Sequence, residues 1–224
     1  DYVTEKKPTR GKWKKLPEDF IEAINMVQSC AGKDESKFFT TAIHLHPKWI
    51  EASDDIQLCR FNLKTGIKES TLVRRDSIKH ILPMGVTEFA ESPSWLHFRN
   101  GTGWTLACRR YIEMDFPDLS EYLEFDGEKA ILPRGIEEAA DKADVFSSEN
   151  KDNNKVLVKM SPGKIRIRGE GISGGHEEVK KIEYTGAEIE FLIAPQMLQD
   201  LVKRNSECVI SDEKLRVSSG NWVY

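Results

Sequence analysis

One order of predicted elements occurs twice along the chain, and this repeat restricts the fold more than any other sequence feature. From Leu16 to Asp115 the pattern is a helix, a run of strands, a second helix and further strands, and the same order starts again after Pro133. The period of roughly 110 residues is too long for a solenoid unit. We therefore predict an α+β chain with two copies of one domain, each with two helices on one face of an antiparallel sheet.

Apolar spacing, prolines and glycines locate these elements. Pro17 suits the first turn of a helix that Gly32 ends, and Asn100-Gly101 is typical of a turn between strands. The four predicted helices cover residues 17–31, 76–82, 134–146 and 195–204. The predicted strands cover residues 39–45, 50–52, 58–63, 67–73, 87–90, 94–98, 104–110, 129–132, 155–160, 164–169, 177–183, 188–193, 207–210 and 214–217, with another beginning at 221. We interpret the glycine-rich residues 169–171 and 174–175 as loop.

Composition narrows the class of protein. Hydrophobic residues make up 39% of the 224 residues, enough for a packed core, and no apolar run has the length of a transmembrane helix. No signal peptide is visible, so we expect a cytoplasmic protein without a membrane partner. The four cysteines lie far apart without a CxxC pair, which argues against structural zinc. The formal charge of -4 argues against a surface that is basic throughout, but it allows a local basic lining.

Few motifs indicate catalysis. The sequence contains no GxSxG, phosphate-loop or GxGxxG pattern. His44 and His46 share one strand face and would suit a metal pair, but no third ligand follows at a suitable spacing, so we favour ordinary strand residues. Asp54 and Asp55 would suit a two-metal nuclease, but nothing completes the carboxylate set, so we favour a loop. We expect no enzymatic activity, no metal and no cofactor. The five tryptophans could stack on bases, but we expect them to pack in the core or on sheet faces.

Four segments follow one another in a specific order and spacing. They are Leu16-Pro17 with its helix and then Thr40-Thr41-Ala42-Ile43; Ile50-Glu51-Ala52-Ser53-Asp54-Asp55; Asp115-Phe116-Pro117-Asp118-Leu119; and Tyr184-Thr185-Gly186-Ala187-Glu188-Ile189-Glu190-Phe191 before the helix at Pro195. Together they resemble the middle and third domains of the bacterial sliding clamp, the beta subunit of DNA polymerase III. The second segment matches the family's Ala-Thr-Asp-Gly-His-Arg-Leu, and the third matches its Phe-Pro-Asp-Tyr. The resemblance covers almost the whole chain after residue 15 and fits a divergent or phage-encoded member.

The resemblance implies a division of the chain into parts. These are a basic linker or arm over residues 1–15, a clamp domain over 16–122, an interdomain link over 123–133 and a second clamp domain over 134–224. It also implies that a first domain precedes this stretch in the full-length protein and that the family's C-terminal tail is absent after Tyr224. This chain alone is then not expected to form the family's closed ring, which a first and a third domain close head to tail. The alternative is a homotrimer of two-domain chains, since six domains could still close a ring.

The resemblance further implies a partner-peptide pocket between the two domains, which binds a short peptide through a few apolar anchors. Its residues are Thr40, Ser53, Asp55, Ile56, Gln57, Leu58, Pro117, Glu121, Tyr122, Val223 and Tyr224. The family's Gly-His-Arg is replaced by Asp55-Ile56-Gln57, which adds a negative charge and removes a positive one. We therefore expect a preference for peptides with a basic flank. The alternative is that Ile56 and Leu58 are simply residues of the strand core, an interpretation that is equally compatible with Leu58.

A basic set is the resemblance's candidate for contact with double-stranded DNA. It comprises Lys14, Lys15, Arg74, Arg75, Lys79, Lys203 and Arg204. A sliding ring needs phosphate contacts that are weak and independent of sequence. A solvated charged surface is the alternative interpretation of this set. The other two helices oppose DNA contact because their polar faces are acidic, through residues 18, 19, 22, 137, 138, 141 and 144.

Three functions follow from these observations. The first is a DNA sliding clamp, a homo-oligomeric ring that works with a clamp loader and tethers DNA polymerase and other replication proteins through short peptide motifs. The second is a clamp-fold adaptor or regulator that does not encircle DNA. The third is a metal-dependent nuclease that uses Asp54 and Asp55.

Overall fold

The computed structural model describes residues 12–34, 36–149, 154–212 and 214–224. Most of the predicted basic arm therefore lies outside the described residues. The chain divides into two compact units. The first unit runs to Asp118 and includes Asn221–Val223, and the second comprises Leu119–Gly220 and Tyr224. Both are α+β units with antiparallel sheets, which confirms the predicted fold class.

The elements follow the predicted order closely. The α-helices are α1 (Phe20–Val27), α2 (Arg75–Ile78), α3 (Ser120–Leu123), α4 (Ile136–Ser147) and α5 (Pro195–Arg204). The strands are β1 (Lys14–Lys15), β2 (Ala42–Leu45), β3 (Trp49–Ser53), β4 (Leu58–Asn62), β5 (Thr71–Arg74), β6 (Glu88–Glu91), β7 (Trp95–Arg99), β8 (Thr105–Tyr111), β9 (Glu128–Ile131), β10 (Val156–Ser161), β11 (Lys164–Gly171), β12 (Gly174–Lys181), β13 (Ile189–Ile193), β14 (Glu207–Ile210), β15 (Leu215–Ser219) and β16 (Trp222–Val223). Short 3-10 turns cover Gln28–Cys30, Phe38–Thr41 and Lys79–Ile81.

The described strands of each unit pair in antiparallel order. In the first unit the order is β1-β6-β7-β8-β5-β2-β3-β4-β16. In the second unit β15-β14-β9 form one sheet region, and β12-β11-β10-β13 form a separate four-stranded sheet. Short hairpins join neighbouring strands such as β7 and β8, where Asn100-Gly101 lies in the turn as predicted, but the turn residues 64–66 do not form a hairpin because β4 and β5 are not neighbours in the sheet.

The core of the first unit forms where α1 packs on strands β3 and β4. The helix buries the apolar stripe that the sequence spacing predicted, and Phe20 is completely enclosed. The Phe20 ring lies 6.0 Å from the Phe98 ring of β7, centroid to centroid. This contact joins the helix to the far part of the sheet.

The core of the second unit depends on small residues between α4 and β11. Helix α4 buries three alanines, including Ala143, and packs on the four-stranded sheet and on α5. A β-carbon at Gly169 would lie only 2.6 Å from the carbonyl carbon of Ala143. Glycine is therefore needed at position 169 so that the helix backbone can approach the strand.

Three sequence expectations need correction. The glycine-rich residues 169–171 and 174–175 are the ends of β11 and β12, not loop, and Gly169 and Gly171 admit the close approach of α4. Residues Phe38–Thr41 form a 3-10 turn instead of the start of a strand. Their two threonine hydroxyls donate to the carbonyls of Lys37 and Phe38, which favours the turn. Trp104 is 73% exposed on a hairpin, so it packs neither in the core nor on a sheet face.

Candidate functional site

The most distinctive surface of the first unit is the turn Asp54–Gln57 between β3 and β4. The Asp54 carboxylate accepts the backbone N–H groups of Ile56 at 3.1 Å and Gln57 at 2.9 Å, and the Gln57 side-chain amide donates to it at 2.9 Å. These bonds fix the turn from within. They leave Ile56 pointing into solvent, with 80% of its surface exposed. The turn therefore presents an apolar side chain on a rigid support.

Asp55 has the only positive φ among the described non-glycine residues, at 75°. This left-handed conformation favours glycine and is tolerated by aspartate. It is the position at which the clamp pattern has glycine, so the backbone geometry supports that alignment. Lys37 donates to the Asp55 carboxylate at 2.5 Å, and this hydrogen bond is the first cause of the raised pKa of Lys37. The ion pair neutralises the negative charge that distinguishes this turn from the clamp pattern.

Thr40, Ser53 and Leu58 lie close to this turn. Ser53 and Leu58 are cross-strand partners at the ends of β3 and β4, and Leu58 is half-buried. The carbonyl of Thr40 accepts the N–H of Gly32 at 2.6 Å, and Gly32 in turn adjoins the side chain of Asp54. The fold thus brings six of the predicted pocket residues into one region of the first unit. They are Thr40, Ser53, Asp55, Ile56, Gln57 and Leu58.

The other predicted pocket residues are divided between the units. In the first unit Pro117 is exposed, and Val223 pairs with Arg60 of β4. In the second unit Glu121 and Tyr122 are exposed on α3, and Tyr122 lies 4.9 Å from the Lys214 ammonium, measured to the ring centre. Tyr224 is buried, and its backbone exchanges two 2.9 Å hydrogen bonds with Val217. Within the second unit, Tyr224 is therefore enclosed, whereas Glu121 and Tyr122 are accessible.

The predicted DNA-facing residues of the first unit have varied surroundings. Lys14 donates to the Gly66 carbonyl at 2.9 Å and to Glu91 at 3.1 Å, because β1 pairs with β6. Its neighbour Lys15 is exposed.

The remaining basic residues also range from residues with hydrogen bonds or ring contacts to an exposed lysine. Arg75 donates to the Ala31 carbonyl at 3.1 Å, and Lys79 pairs with Asp76 at 2.6 Å. The Arg74 guanidinium lies 5.5 Å from the centre of the Phe38 ring. The Arg204 guanidinium lies 4.5 Å from the centre of the Tyr224 ring. Lys203 is exposed at the end of α5.

The histidine and aspartate pairs contact other groups of the protein. Among the described residues, no group of three histidine, cysteine, aspartate or glutamate side chains has the geometry to hold a metal ion. His44 is bonded to Glu51 and Ser70, and the ring of His46 stacks on Trp49 at 3.6 Å. The Asp54 carboxylate accepts three hydrogen bonds within its own turn. In the described part of the chain no helix is long and apolar enough to cross a membrane.

The two α+β units, each with antiparallel sheets, have the fold of a DNA clamp. Solved structures that match include bacterial DNA polymerase III beta sliding clamps. The C. crescentus clamp aligns with a TM-score of 0.84 and 16% identity over 100% of this chain and 67% of that chain. The Thermotoga maritima beta subunit aligns with a TM-score of 0.80 and 15% identity over 100% and 67%. The Pseudomonas aeruginosa clamp bound to griselimycin aligns with a TM-score of 0.79 and 14% identity over 100% and 66%.

These alignments confirm the predicted resemblance at the level of the fold. The chain has the sliding-clamp fold and spans about two thirds of the length of these clamps. No protein-family model matches the sequence. A search of curated protein sequences also gives no match.

Sequence reasoning missed two features of the first unit. Lys37 was not predicted to join the turn, because its contact with Asp55 spans 18 residues and nothing local marks it. The polar cluster around Glu51 was also missed. The sequence predicted a strand over residues 50–52, but only the sheet register brings His44 and Arg60 to either side of Glu51.

Proposed function

We propose that this chain is part of a DNA sliding clamp that tethers DNA polymerase through the surface around the turn Asp54–Gln57. The observation that carries the proposal is the clamp fold along the whole chain. A clamp needs no catalytic group, which fits the structural roles of Asp54 and Asp55.

The turn has the properties of a peptide-binding surface. Ile56 is exposed and Leu58 half-buried, so a peptide side chain that covers them removes apolar area from water. Such burial stabilises a complex by about 25 cal/mol per Å², or roughly 1.5–3 kcal/mol for one large side chain. Ordering of the peptide offsets part of this gain, so we expect a modest affinity. The bound griselimycin of the P. aeruginosa clamp is a precedent for ligand binding by this fold.

The charge of the turn Asp54–Gln57 determines which peptide charges we expect it to prefer. An unpaired Asp55 would strongly favour a basic flank, but Lys37 neutralises it. We therefore expect a weaker preference for basic peptides than the sequence suggests. Because the pair is exposed, it contributes little to stability, and added salt should screen it further.

Peptide binding is the experiment that tests this surface. A fluorescein-labelled polymerase-derived peptide with two large apolar residues is titrated with the chain and followed by fluorescence anisotropy. Leu58→Ser and Ile56→Ser should each weaken binding about tenfold, corresponding to about 1.4 kcal/mol. Trp104→Ser is the matched control, because Trp104 is an exposed apolar residue on a different hairpin of the same unit. If all three variants bind as tightly as the wild type, this surface is not the partner site.

For DNA contact we propose the exposed lysines Lys15 and Lys203 rather than the whole basic set. Arg75 and Lys14 hold backbone carbonyls, so reversing their charge would disturb the fold as well as any DNA contact. We expect non-specific duplex binding in the range of about 10⁻⁴–10⁻⁶ M that weakens with salt.

The DNA test uses a fluorescent duplex of random sequence over a range of salt concentrations. Lys15→Glu and Lys203→Glu should weaken binding and reduce the salt slope. Lys48→Glu, which makes the same charge change at an exposed position outside the set, is the control. Equal loss in the control would assign the effect to net charge alone.

Assembly into a ring is proposed through the edge of the four-stranded sheet. Among the described strands, β12 is bonded on one side only, to β11, and Val179 on it is half exposed. Ile172 at the β11–β12 turn is 96% exposed, and the next residue, Ser173, donates its N–H to Glu149 after α4 at 2.8 Å. An unpaired edge beside apolar side chains is a template for another chain. In the full-length protein, Ile172→Lys should reduce the assembly of the ring measured by sedimentation.

A second candidate function, an adaptor that does not encircle DNA, is favoured by the charge of α4. This helix carries four acidic residues and one lysine, and Glu138 and Asp141 are exposed. An acidic helix repels phosphate. Absence of duplex binding at low salt, together with normal peptide binding, would support the adaptor.

A further inference from the structure

A polar cluster on one face of the first unit's sheet has no part in the proposed clamp function. Glu51 on β3 is the cross-strand partner of His44 on β2 and of Arg60 on β4. Ser70 lies two residues before Leu72, which is the partner of His44 on β5. Because side chains alternate between faces, these four groups lie on the same side of the sheet.

The distances join three of these groups in a chain. The Ser70 Oγ lies 2.5 Å from His44 Nε2, and His44 Nδ1 lies 2.7 Å from Glu51 Oε1. Glu51 is held further by Trp49 Nε1 at 2.7 Å and by Arg60 Nε at 2.6 Å. Its side chain is only 2% exposed, whereas Ser70 is exposed at the end of the chain of contacts.

The state of Glu51 determines which histidine nitrogen carries the proton. Burial raises the pKa of Glu51, but the hydrogen bond from His44 and the charge of Arg60 lower it more, so the pKa lies below its ordinary value. An ionised carboxylate only accepts hydrogen bonds, so His44 Nδ1 must be the donor. In neutral His44 the Nε2 lone pair then faces the Ser70 hydroxyl. This is the arrangement in which an imidazole takes a proton from a serine.

We propose that Ser70 is an activated nucleophile toward carboxylic esters, with His44 as its general base and Glu51 as a positioning residue. Ser70 Oγ attacks the ester carbonyl carbon as its proton passes to His44 Nε2. The bond from carbon to the leaving alkoxide breaks, and His44 returns the proton to that alkoxide, which leaves an acyl ester on Ser70. Water then gives a proton to His44 and attacks the acyl carbon. The bond to Ser70 breaks, and the serine recovers its proton.

The surroundings of His44 suit this role. The Phe116 ring stacks on the imidazole at 4.7 Å and 28° between planes, which covers one face of the ring.

The first unit also contains a second pair of serine and histidine with which Ser70 and His44 can be compared. Ser92 lies 3.4 Å from His97 Nε2, but no carboxylate contacts His97 among the described residues. A higher reactivity of Ser70 than of Ser92 therefore measures the combined effect of Glu51 and of the shorter distance between serine and histidine.

The test uses a fluorophosphonate probe on the full chain, with the modified serine located by peptide mass spectrometry. The probe forms an oxygen–phosphorus bond to serine and releases fluoride. We expect Ser70 to react about 100-fold faster than Ser92, as general-base catalysis provides.

Variants separate catalysis from structure. Ser70→Ala should abolish the labelling and the hydrolysis of p-nitrophenyl acetate, and Ser92→Ala should change neither. Glu51→Gln should lower the labelling rate and alter its pH profile, and Glu51→Asp should recover part of the rate. Circular dichroism of each variant establishes that it is folded. The proposal is wrong if Ser70 in the folded wild type reacts no faster than Ser92, or if Ser70→Ala is labelled as fast as the wild type.

Discussion

Substitution of Gly169 by alanine tests the helix-to-sheet contact on which the second unit depends. The added β-carbon would lie 2.6 Å from the carbonyl carbon of Ala143 and 2.9 Å from its Cα. Ordinary carbon contacts begin near 3.5 Å, so α4 and β11 must separate by roughly 1 Å, which forfeits up to half of each dispersion contact along their interface. The obstacle is backbone, which cannot rotate away as a side chain can. We expect a loss of about 3 kcal/mol in the free energy of unfolding.

Urea denaturation measures this loss in the second unit. At a slope of about 2 kcal/mol per molar, the midpoint followed by circular dichroism should fall by about 1.5 M urea. All five tryptophans belong to the first unit, so tryptophan fluorescence reports that unit separately. Gly101→Ala is the control, because a β-carbon there meets nothing within 4 Å, and its effect should stay within about 0.5 kcal/mol. A Gly169→Ala midpoint equal to that of this control would refute the close-packing argument.

Three further predictions concern buried or hydrogen-bonded groups. The pKa of Glu51 is lowered in the folded chain from an ordinary value of 4.5, so its contribution to stability is complete above that pH and is lost as the pH falls through the lowered pKa. Urea midpoints should therefore fall more steeply with acid in the wild type than in Glu51→Gln. Burial raises the pKa of Cys108 to about 12 and that of Cys208 to about 11, so both thiols should react with Ellman's reagent at pH 8 only after unfolding. Asp54→Ala removes the acceptor of three hydrogen bonds and should cost about 1–3 kcal/mol, and an unchanged urea midpoint would contradict its structural role.

Local patterns in the sequence were sufficient to predict most of the fold. The helical stripe from Phe20 to Val27 and the alternation in β4 and β11 each reflect one buried face, and that signal needs no knowledge of the rest of the chain. The errors in the predicted secondary structure occurred where contacts between distant segments determine the local conformation. Gly171 belongs to β11 and admits the close approach of α4, whereas the sequence around it resembles any glycine-rich loop.

The candidate site was predictable only through resemblance. The positive φ of Asp55 explains a glycine in the clamp pattern, but the sequence does not indicate that Lys37 would pair with this aspartate. The chain from Ser70 through His44 to Glu51 joins three segments whose register is set by the whole sheet. Such long-range contacts carry no local periodicity, so sequence analysis has no means of finding them.

Retention on circular DNA tests the proposed clamp function most directly. The complete natural protein is loaded with its clamp loader onto a nicked circular plasmid, washed in high salt and then challenged by cutting the plasmid once. A clamp held by encirclement remains on the circle and is released when the DNA becomes linear. Equal retention on circular and linear DNA, or release from both in high salt, would contradict the proposal.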